Sequence, residues 1–461
     1  MIFTKIIKSL LKVEKSDLGI FTSLIKIAFP LMLSSLLQTL YNITDAFFLG
    51  KLGKEELSAP TIAFNIIFFL VIFGMGMSMA GTTLIAQSKG KGDDRKVDFY
   101  LGQTAIILFS LSIVLSVIGI LTTDFILHLL QTPPDVFEHT HNYMIIILAG
   151  LPFMFGFFVL QGSLQGIGNT VTPLWVQAIT IVINVILDPL MIFGLLFFPP
   201  LGVVGAALAT LIARSIASII ALYILFKGNK GIKLRFSDMI PRKESVLLFL
   251  RIGLPASIGQ ALSALGFTVL QGLVNYFGTA VIAAFGVGNR IISLYNQPAM
   301  GISRATTTMV GQSVGAKDIA RARRVVRVSV LAILAFLIPA TALTFFWGNY
   351  FVKFFVNDPE TIWWGEILFK IVSPSVIFFG LFTVVNGAFQ GAGDTKPIMF
   401  MSIARLWVIR VPLAFLLALM FNLGPLGIWI AMFVSNISVS LFGIAWFRRG
   451  RWVYAVDVDK I

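Results

Sequence analysis

The sequence predicts an all-α integral membrane protein with twelve transmembrane helices in two six-helix lobes related by pseudo-two-fold symmetry. Three observations support this fold class. The 461-residue chain is 57% hydrophobic and only 12% charged, whereas soluble domains contain about 25% charged residues. Twelve segments are apolar over the ~20 residues that a helix needs to cross a bilayer. Finally, the second half of the chain repeats the first at one offset, which aligns Pro30 with Pro255.

The predicted spans are separated by short polar connections, and these connections fix the orientation of the chain. In order, the spans are 21-48, 58-84, 99-121, 141-164, 173-197, 201-226, 246-273, 278-304, 325-348, 364-390, 397-421 and 424-446. If the amino terminus is cytoplasmic, the inner segments contain 24 Lys and Arg residues and the outer loops only 3. By the positive-inside rule, both termini are cytoplasmic and the helix number is even. We therefore expect a multi-pass protein of the cell (inner) membrane.

The polar segments also define the predicted domain organisation. Residues 1-20 form either an amphipathic helix on the inner membrane surface or a solvated basic tail, and we predict no cleaved leader. The N-terminal lobe comprises 21-226, the cytoplasmic linker 227-244, the C-terminal lobe 245-447 and the cytoplasmic tail 448-461.

The internal repeat extends through most of the chain. Its clearest matches pair Gly76, Thr82, Gln87, Asp93, Gly162, Gly166, Gly168 and Gly202 with Gly301, Thr307, Gln312, Asp318, Gly387, Gly391, Gly393 and Gly427. Because each half has six helices, the two halves enter the membrane from the same side and are parallel repeats about an axis along the membrane normal. This architecture predicts a cavity between the lobes and transport by alternating access.

Two acids interrupt the apolar helices of the first half. A charge at the centre of a membrane helix costs at least about 2.5 kcal/mol, so Asp45 and Asp188 are candidate functional residues. The repeat places Leu270 and Leu413 at the equivalent positions of the second half. Tyr41 precedes Asp45 by four residues, and Asn184 precedes Asp188 by four, so each pair shares one helix face. Thr210 in the next helix is a further candidate ligand.

Several classes of function are not expected from this sequence. With no Cys and only three His, none paired at ligand spacing, the chain offers no disulfide and no typical metal centre. No phosphate-binding loop or nucleophile triad is visible, so we expect neither an enzyme nor an ATP-driven pump. The net charge of +14 follows the positive-inside pattern, so we expect no nucleic-acid partner.

At these motifs the chain resembles the multidrug and toxic compound extrusion (MATE) family of the MOP flippase superfamily, and within it the DinF-like branch. The resemblance rests on residues 38–45, 184–189 and 202–210 and on the paired Gln-Gly-x-Gly turns at 165–168 and 390–393. It implies a V-shaped pair of lobes that exports organic cations and other amphipathic compounds in exchange for Na⁺ or H⁺. It also implies that Asp45 and Asp188 couple the ion, beside Tyr41, Asn184 and Thr210. Gln161 departs from the family pattern, in which Asn often occupies this position, and its longer side chain is expected to alter the cation geometry.

The residues themselves leave the coupling ion open. A buried carboxylate in a low-dielectric lobe can carry a proton. Alternatively, Asp45, Asp188, Asn184 and Thr210 offer the oxygen ligands of a Na⁺ site. Apart from this ion we expect no cofactor. We expect a monomer whose partners are amphipathic or cationic small molecules, the coupling ion and membrane lipids.

A second hypothesis is a flippase for a lipid-linked or anionic amphipathic substrate. Its support is the set of basic residues in or near apolar spans, Arg290, Arg405 and Arg410. Alternatively, these arginines have a structural role. A third hypothesis for the protein is a membrane enzyme or scaffold with no transport cycle.

Overall fold

The computed structural model describes residues 15–196 and 198–454, and every regular element in this part of the chain is helical. The first seven helices are α1 (Lys15–Gly50), α2 (Lys54–Lys91), α3 (Asp94–Leu129), α4 (Pro134–Ala149), α5 (Leu151–Gly166), α6 (Val171–Phe193) and α7 (Gly202–Lys227). They are followed by α8 (Lys243–Asn275), α9 (Thr279–Gly315), α10 (Ile319–Phe355), α11 (Pro359–Gly391), α12 (Lys396–Met420) and α13 (Pro425–Arg448).

The helices confirm the predicted α-helical membrane fold. Ten of them are long and apolar enough to cross a membrane, and the bent pair α4 and α5, with an angle of 45° between them, makes eleven. The predicted span 278-304 falls within α9, whose 37 residues are long enough but include polar side chains such as Asn289 and Arg290. Each of the twelve predicted spans thus coincides with one helix or, for the fourth, with the bent pair. The amphipathic segment predicted at the amino terminus lies mostly outside the described residues, as does the end of the predicted tail.

The chain divides into two compact units. Among the described residues, the first unit comprises Pro30–Ser257, and the second contains the chain from Ile258 together with residues 15–29. The predicted domain boundary in the linker at 227-244 stays a prediction.

The linker at 227-244 is held against α3 of the first unit by hydrogen bonds. Arg95 forms two hydrogen bonds with the buried carboxylate of Asp238, at 2.5 and 2.6 Å. Gln103 donates to the backbone carbonyls of Asp238 and Ile240 at 2.8 and 2.7 Å. The amide of Lys233 donates to Asp98 at 2.7 Å. The backbone groups of this irregular segment therefore find partners in side chains of α3, as buried backbone polar groups require.

The sequence repeat is reproduced in the contacts between helices. In the first unit, Ser78 on α2 donates to the carbonyl of Phe158 on α5 at 3.0 Å. At the equivalent place in the second unit, Ser303 on α9 donates to the carbonyl of Thr383 on α11 at 2.5 Å. Both helix pairs come close because a glycine, Gly162 or Gly387, faces this serine. The two units therefore share one packing scheme at residue level.

The repeated Gln-Gly-x-Gly motifs form turns, as the sequence indicates. In both copies the helix ends at the first glycine of the motif, Gly166 or Gly391. The second glycine has a positive φ, 87° at Gly168 and 80° at Gly393. Residues with a Cβ rarely adopt this conformation, so glycine is required there for a backbone reason.

We predict that Gly387→Ala destabilises the second unit, whereas Gly272→Ala does not. A Cβ at position 387 would lie 2.4 Å from the carbonyl oxygen of Ser303, which is backbone and cannot rotate away. Overpacking of this kind costs roughly 1–3 kcal/mol. A Cβ at position 272 meets no atom within 4 Å. Thermal unfolding of the purified variants, followed by size-exclusion chromatography, measures the difference, and equal midpoints for the two variants would contradict the prediction.

Candidate functional site

Three helices of the first unit bring the predicted polar residues together. Tyr41 lies on α1, Asn184 and Asp188 lie on α6, and Thr210 lies on α7. The hydroxyls of Tyr41 and Thr210 share a hydrogen bond of 2.9 Å, in which either oxygen can be the donor. The predicted meeting of these helices at their polar faces is thus observed.

A close approach of α6 and α7 positions Thr210. At Gly205 a Cβ would lie 2.4 Å from the backbone carbonyl of Met191, so only glycine allows the two helices to pack at this distance. Thr210 lies just over one turn further along α7 and is 3% exposed. The glycine-rich start of α7 therefore determines how near Thr210 comes to α1.

Asn184 and Asp188 form a buried pair on α6. The Asn184 side chain donates to Asp188 Oδ1 at 3.0 Å, and neither residue is exposed. Their spacing of four residues places them on one helix face, which predicts such a contact. The amide therefore holds the carboxyl group of Asp188 in a fixed orientation.

The carboxyl group of Asp45 completes the cluster. It lies close enough to the Asp188 carboxyl group and the Tyr41 hydroxyl to interact with both electrostatically. Two carboxylates at this distance repel one another, so the pair requires a shared proton or a bound cation.

Three oxygen atoms of the cluster lack a hydrogen-bond partner among the described residues. They are Asp45 Oδ1, Asn184 Oδ1 and Asp188 Oδ2, and all three are buried. Buried acceptors are normally satisfied, so each such atom needs an explanation. An array of acceptors without donors fits a proton or a small hard cation, which prefers oxygen ligands. No group of three or more His, Cys, Asp or Glu residues suited to a metal occurs in the described part of the chain.

Gln161 is not joined to this cluster by any described contact. Its side chain is half-buried on α5 and makes no hydrogen bond with another described residue. The expectation that Gln161 adjusts the cation geometry stays a prediction.

Sequence reasoning missed two residues beside the cluster. Tyr143 on α4 lies close enough to interact electrostatically with Asp45 and Asp188. Arg214 on α7 acts in the same way on Asp45, Tyr41 and Tyr143, although it forms no direct ion pair with a described residue. Arg214 follows Thr210 by four residues and therefore lies on the same face of α7. The spacing that identified the pairs on α1 and α6 was thus also a signal for Arg214.

Comparisons with known proteins are consistent with this arrangement. A family model described as MatE matches residues 30–190 and 255–416. The probable multidrug resistance protein YoeA of Bacillus subtilis (strain 168) is 30% identical over 447 residues, which cover 95% of this chain and 96% of that protein. The probable multidrug resistance protein NorM of Thermotoga maritima is 29% identical over 429 residues, covering 93% and 92%. A crystal structure of MATE in the bent conformation, 22% identical, has a TM-score of 0.87 and coverages of 95% and 98%.

We predict that Arg214→Gln raises the apparent affinity of the carboxyl cluster for its cation. The guanidinium repels any cation that approaches Asp45, and removing a charge interaction on the order of 1 kcal/mol changes an affinity by about fivefold. The measurement is the ion concentration that gives half-maximal transport in liposomes.

Arg327→Gln is the matched control for this prediction, because Arg327 is exposed on α10 and belongs to the second unit. The control variant should behave as the wild type. An unchanged or higher half-maximal concentration in Arg214→Gln would show that the guanidinium does not act on the ion.

Proposed function

Because this chain belongs to the MatE family, we propose that it is a secondary active multidrug exporter that works by alternating access. It would antiport amphipathic or organic-cation substrates against Na⁺ or H⁺. The names of the similar proteins YoeA and NorM, both described as probable multidrug resistance proteins, support the substrate class. The candidate coupling site is the carboxyl cluster of the first unit.

The observation that carries the proposal is the set of three unpartnered oxygens around two carboxyl groups. A proton supplies a donor to this set, and a Na⁺ ion supplies a positive charge. Asp45, Asp188, Asn184 and Thr210 would hold the Na⁺ ion if the protein uses one. In both cases the ion reduces the repulsion between α1 and α6, because each of these helices contributes one acid.

The polar neighbours have separate tasks in this scheme. Asn184 orients the Asp188 carboxyl group through its hydrogen bond. Tyr41 and Thr210 connect α1 to α7. Arg214 adds a fixed positive charge that sets how readily the cluster accepts a cation. Binding of the ion therefore affects contacts of α1, α6 and α7 together.

Exchange requires that the ion and the substrate stabilise different conformations of the protein. A ligand that binds two conformations equally well shifts neither. The ion-loaded cluster favours close association of α1 with α6, so an exported substrate must favour the arrangement in which the ion has left. With both termini in the cytoplasm and the protein in the cell membrane, this cycle would move substrate outward as the ion moves inward.

We predict that Asp45→Asn and Asp188→Asn each abolish ion-driven export. Asparagine keeps the size of the side chain but can neither carry the negative charge nor take up the proton. We expect a loss of at least about tenfold, within the range of typical coupling energies. The measurement uses purified protein in liposomes: efflux of a fluorescent organic cation, driven separately by a Na⁺ gradient and by a proton gradient.

Asp124→Asn is the matched control for these substitutions. Asp124 is an exposed acid on α3 that contacts His141 and lies outside the carboxyl cluster. Export by Asp45→Asn at the rate of the wild type would refute the coupling role. If only one of the two gradients drives export by the wild-type protein, that gradient identifies the coupling ion.

A further inference from the structure

The second unit contains two buried arginines on the helix that is equivalent to the Asp188 helix of the first unit. Arg405 and Arg410 lie on α12 and are 6% and 2% exposed. Helix α12 is the repeat equivalent of α6, which carries Asp188. The two units thus have the same packing scheme but opposite charges on corresponding helices.

The backbone of α12 brings the two guanidinium groups together. In an α-helix, residues five apart point about 140° away from one another. Here the segment Ala404–Arg410 is π-helical, so residues five apart lie one above the other. Both guanidinium carbons consequently approach the Phe267 ring of α8, at 5.8 Å for Arg405 and 5.7 Å for Arg410.

Arg410 is held by neutral groups. Its Nε donates to Ser435 Oγ at 2.8 Å, and one of its terminal nitrogens donates to Asn436 Oδ1 at 2.6 Å. The Asn436 amide donates in turn to Ser375 Oγ at 3.0 Å. This chain of hydrogen bonds fixes the guanidinium but does not neutralise its charge.

Arg405 has no hydrogen bond or ion pair with any described residue. Its Nε is buried without a partner. The guanidinium carbon lies 5.0 and 5.5 Å from the ring centroids of Phe379 and Phe382 on α11, in addition to Phe267. Arginine stacked on aromatic rings keeps its in-plane donors free for a ligand.

Among the described residues, no acid forms an ion pair with Arg405 or Arg410. Helices α12 and α13 contain no Asp or Glu, α8 has only Glu244 in its first turn, and the acids of α11 are Glu360 and Glu366, more than three turns from Phe379. Two like charges that are buried together without a counter-ion destabilise a protein unless a ligand supplies the opposite charge. The contacts of Arg405 with α8 and α11 are with aromatic rings, which leave the charge of its guanidinium without a counter-ion.

We propose that Arg405, Arg410 and Phe267 form a binding site for an anionic group, carboxylate or phosphate, carried on an apolar or aromatic body. The two guanidinium groups present donors of the geometry that carboxylate and phosphate oxygens accept. The surrounding rings of Phe267, Phe379 and Phe382 contact the apolar body. Phe267 is 42% exposed, so the arginines lie directly beneath a ring at the surface of the unit.

Binding to this site is a property separate from ion-coupled export and is tested without transport. The measurement is calorimetric titration of 2-naphthyl phosphate into purified protein in a neutral detergent, with 2-naphthol as the uncharged analogue. We expect the phosphate to bind and the alcohol to bind at least about tenfold more weakly, since charge-assisted hydrogen bonds are lost.

Arg405→Met is the informative variant, because Arg405 makes no hydrogen bond whose loss would unfold the protein. We expect phosphate affinity to fall at least about tenfold. The thermal midpoint of the ligand-free variant should equal or exceed that of the wild type, because an unpaired buried charge has been replaced by an apolar chain of similar length. A structural arginine would give the opposite result, a lower midpoint. Arg327→Met, at an exposed arginine on α10 of the same unit, is the control and should bind as the wild type does.

Two results would overturn the proposal: equal affinity for the phosphate and the alcohol, or wild-type phosphate binding by Arg405→Met. A second arm identifies the source of the anion. The titration is repeated in nanodiscs of phosphatidylcholine with and without phosphatidylglycerol. Competition by phosphatidylglycerol that disappears in Arg405→Met supports the site with a lipid headgroup as its ligand, whereas unchanged phosphate binding supports the site with a soluble ligand.

Discussion

A hydrocarbon environment supplies neither donors nor acceptors, so each polar group within a spanning helix must find its partner inside the protein. Most side chains of this structure obey the constraint locally: serine and threonine hydroxyls bond to carbonyls of the preceding turn, as Thr82 and Thr307 do. Several helices contain exceptions. Among the described residues, the charged side chains with an unpartnered buried atom are Asp45 on α1, Asp188 on α6 and Arg405 on α12. Because unsatisfied groups are expensive in this medium, their positions mark where a molecule from outside is expected to complete the structure.

The duplication explains how one fold came to contain two such places of opposite sign. The contacts that hold α2 to α5 and α9 to α11 are the same serine-to-carbonyl bonds opposite the same glycines. These contacts tolerate no change, since any Cβ there meets the backbone. The positions of Asp45 and Asp188 differ between the two halves, since Leu270 and Leu413 occupy the equivalent positions of the second unit. Steric contacts therefore restrict the residues at the repeated glycine positions, whereas the acid positions differ in charge between the two units.

The sequence predicted the helices and most of the carboxyl cluster because both depend on local spacing. Apolar length gave the spans, and separations of four residues placed Tyr41 with Asp45 and Asn184 with Asp188 on common faces. The same rule, applied once more along α7, would have identified Arg214. The approach of Arg405 and Arg410 was not predictable in this way, because periodicity assumes α-helical geometry and α12 departs from it over Ala404–Arg410. The place of Gln161 depends on a side-chain orientation that spacing does not determine.

The hydrogen bond between Tyr41 and Thr210 has one further consequence. Each oxygen can donate or accept, so the phenolic hydrogen can either bond to Thr210 or turn away from it, and Asp45 lies near enough to act on it electrostatically. When Asp45 is an anion it competes for that hydrogen, and Thr210 must then offer its own. The charge state of α1 is thereby passed to α7 by rotation about two C–O bonds. The loaded and unloaded forms of the cluster then differ first in their vibrational spectrum, at the tyrosine C–O stretch, before any helix has moved.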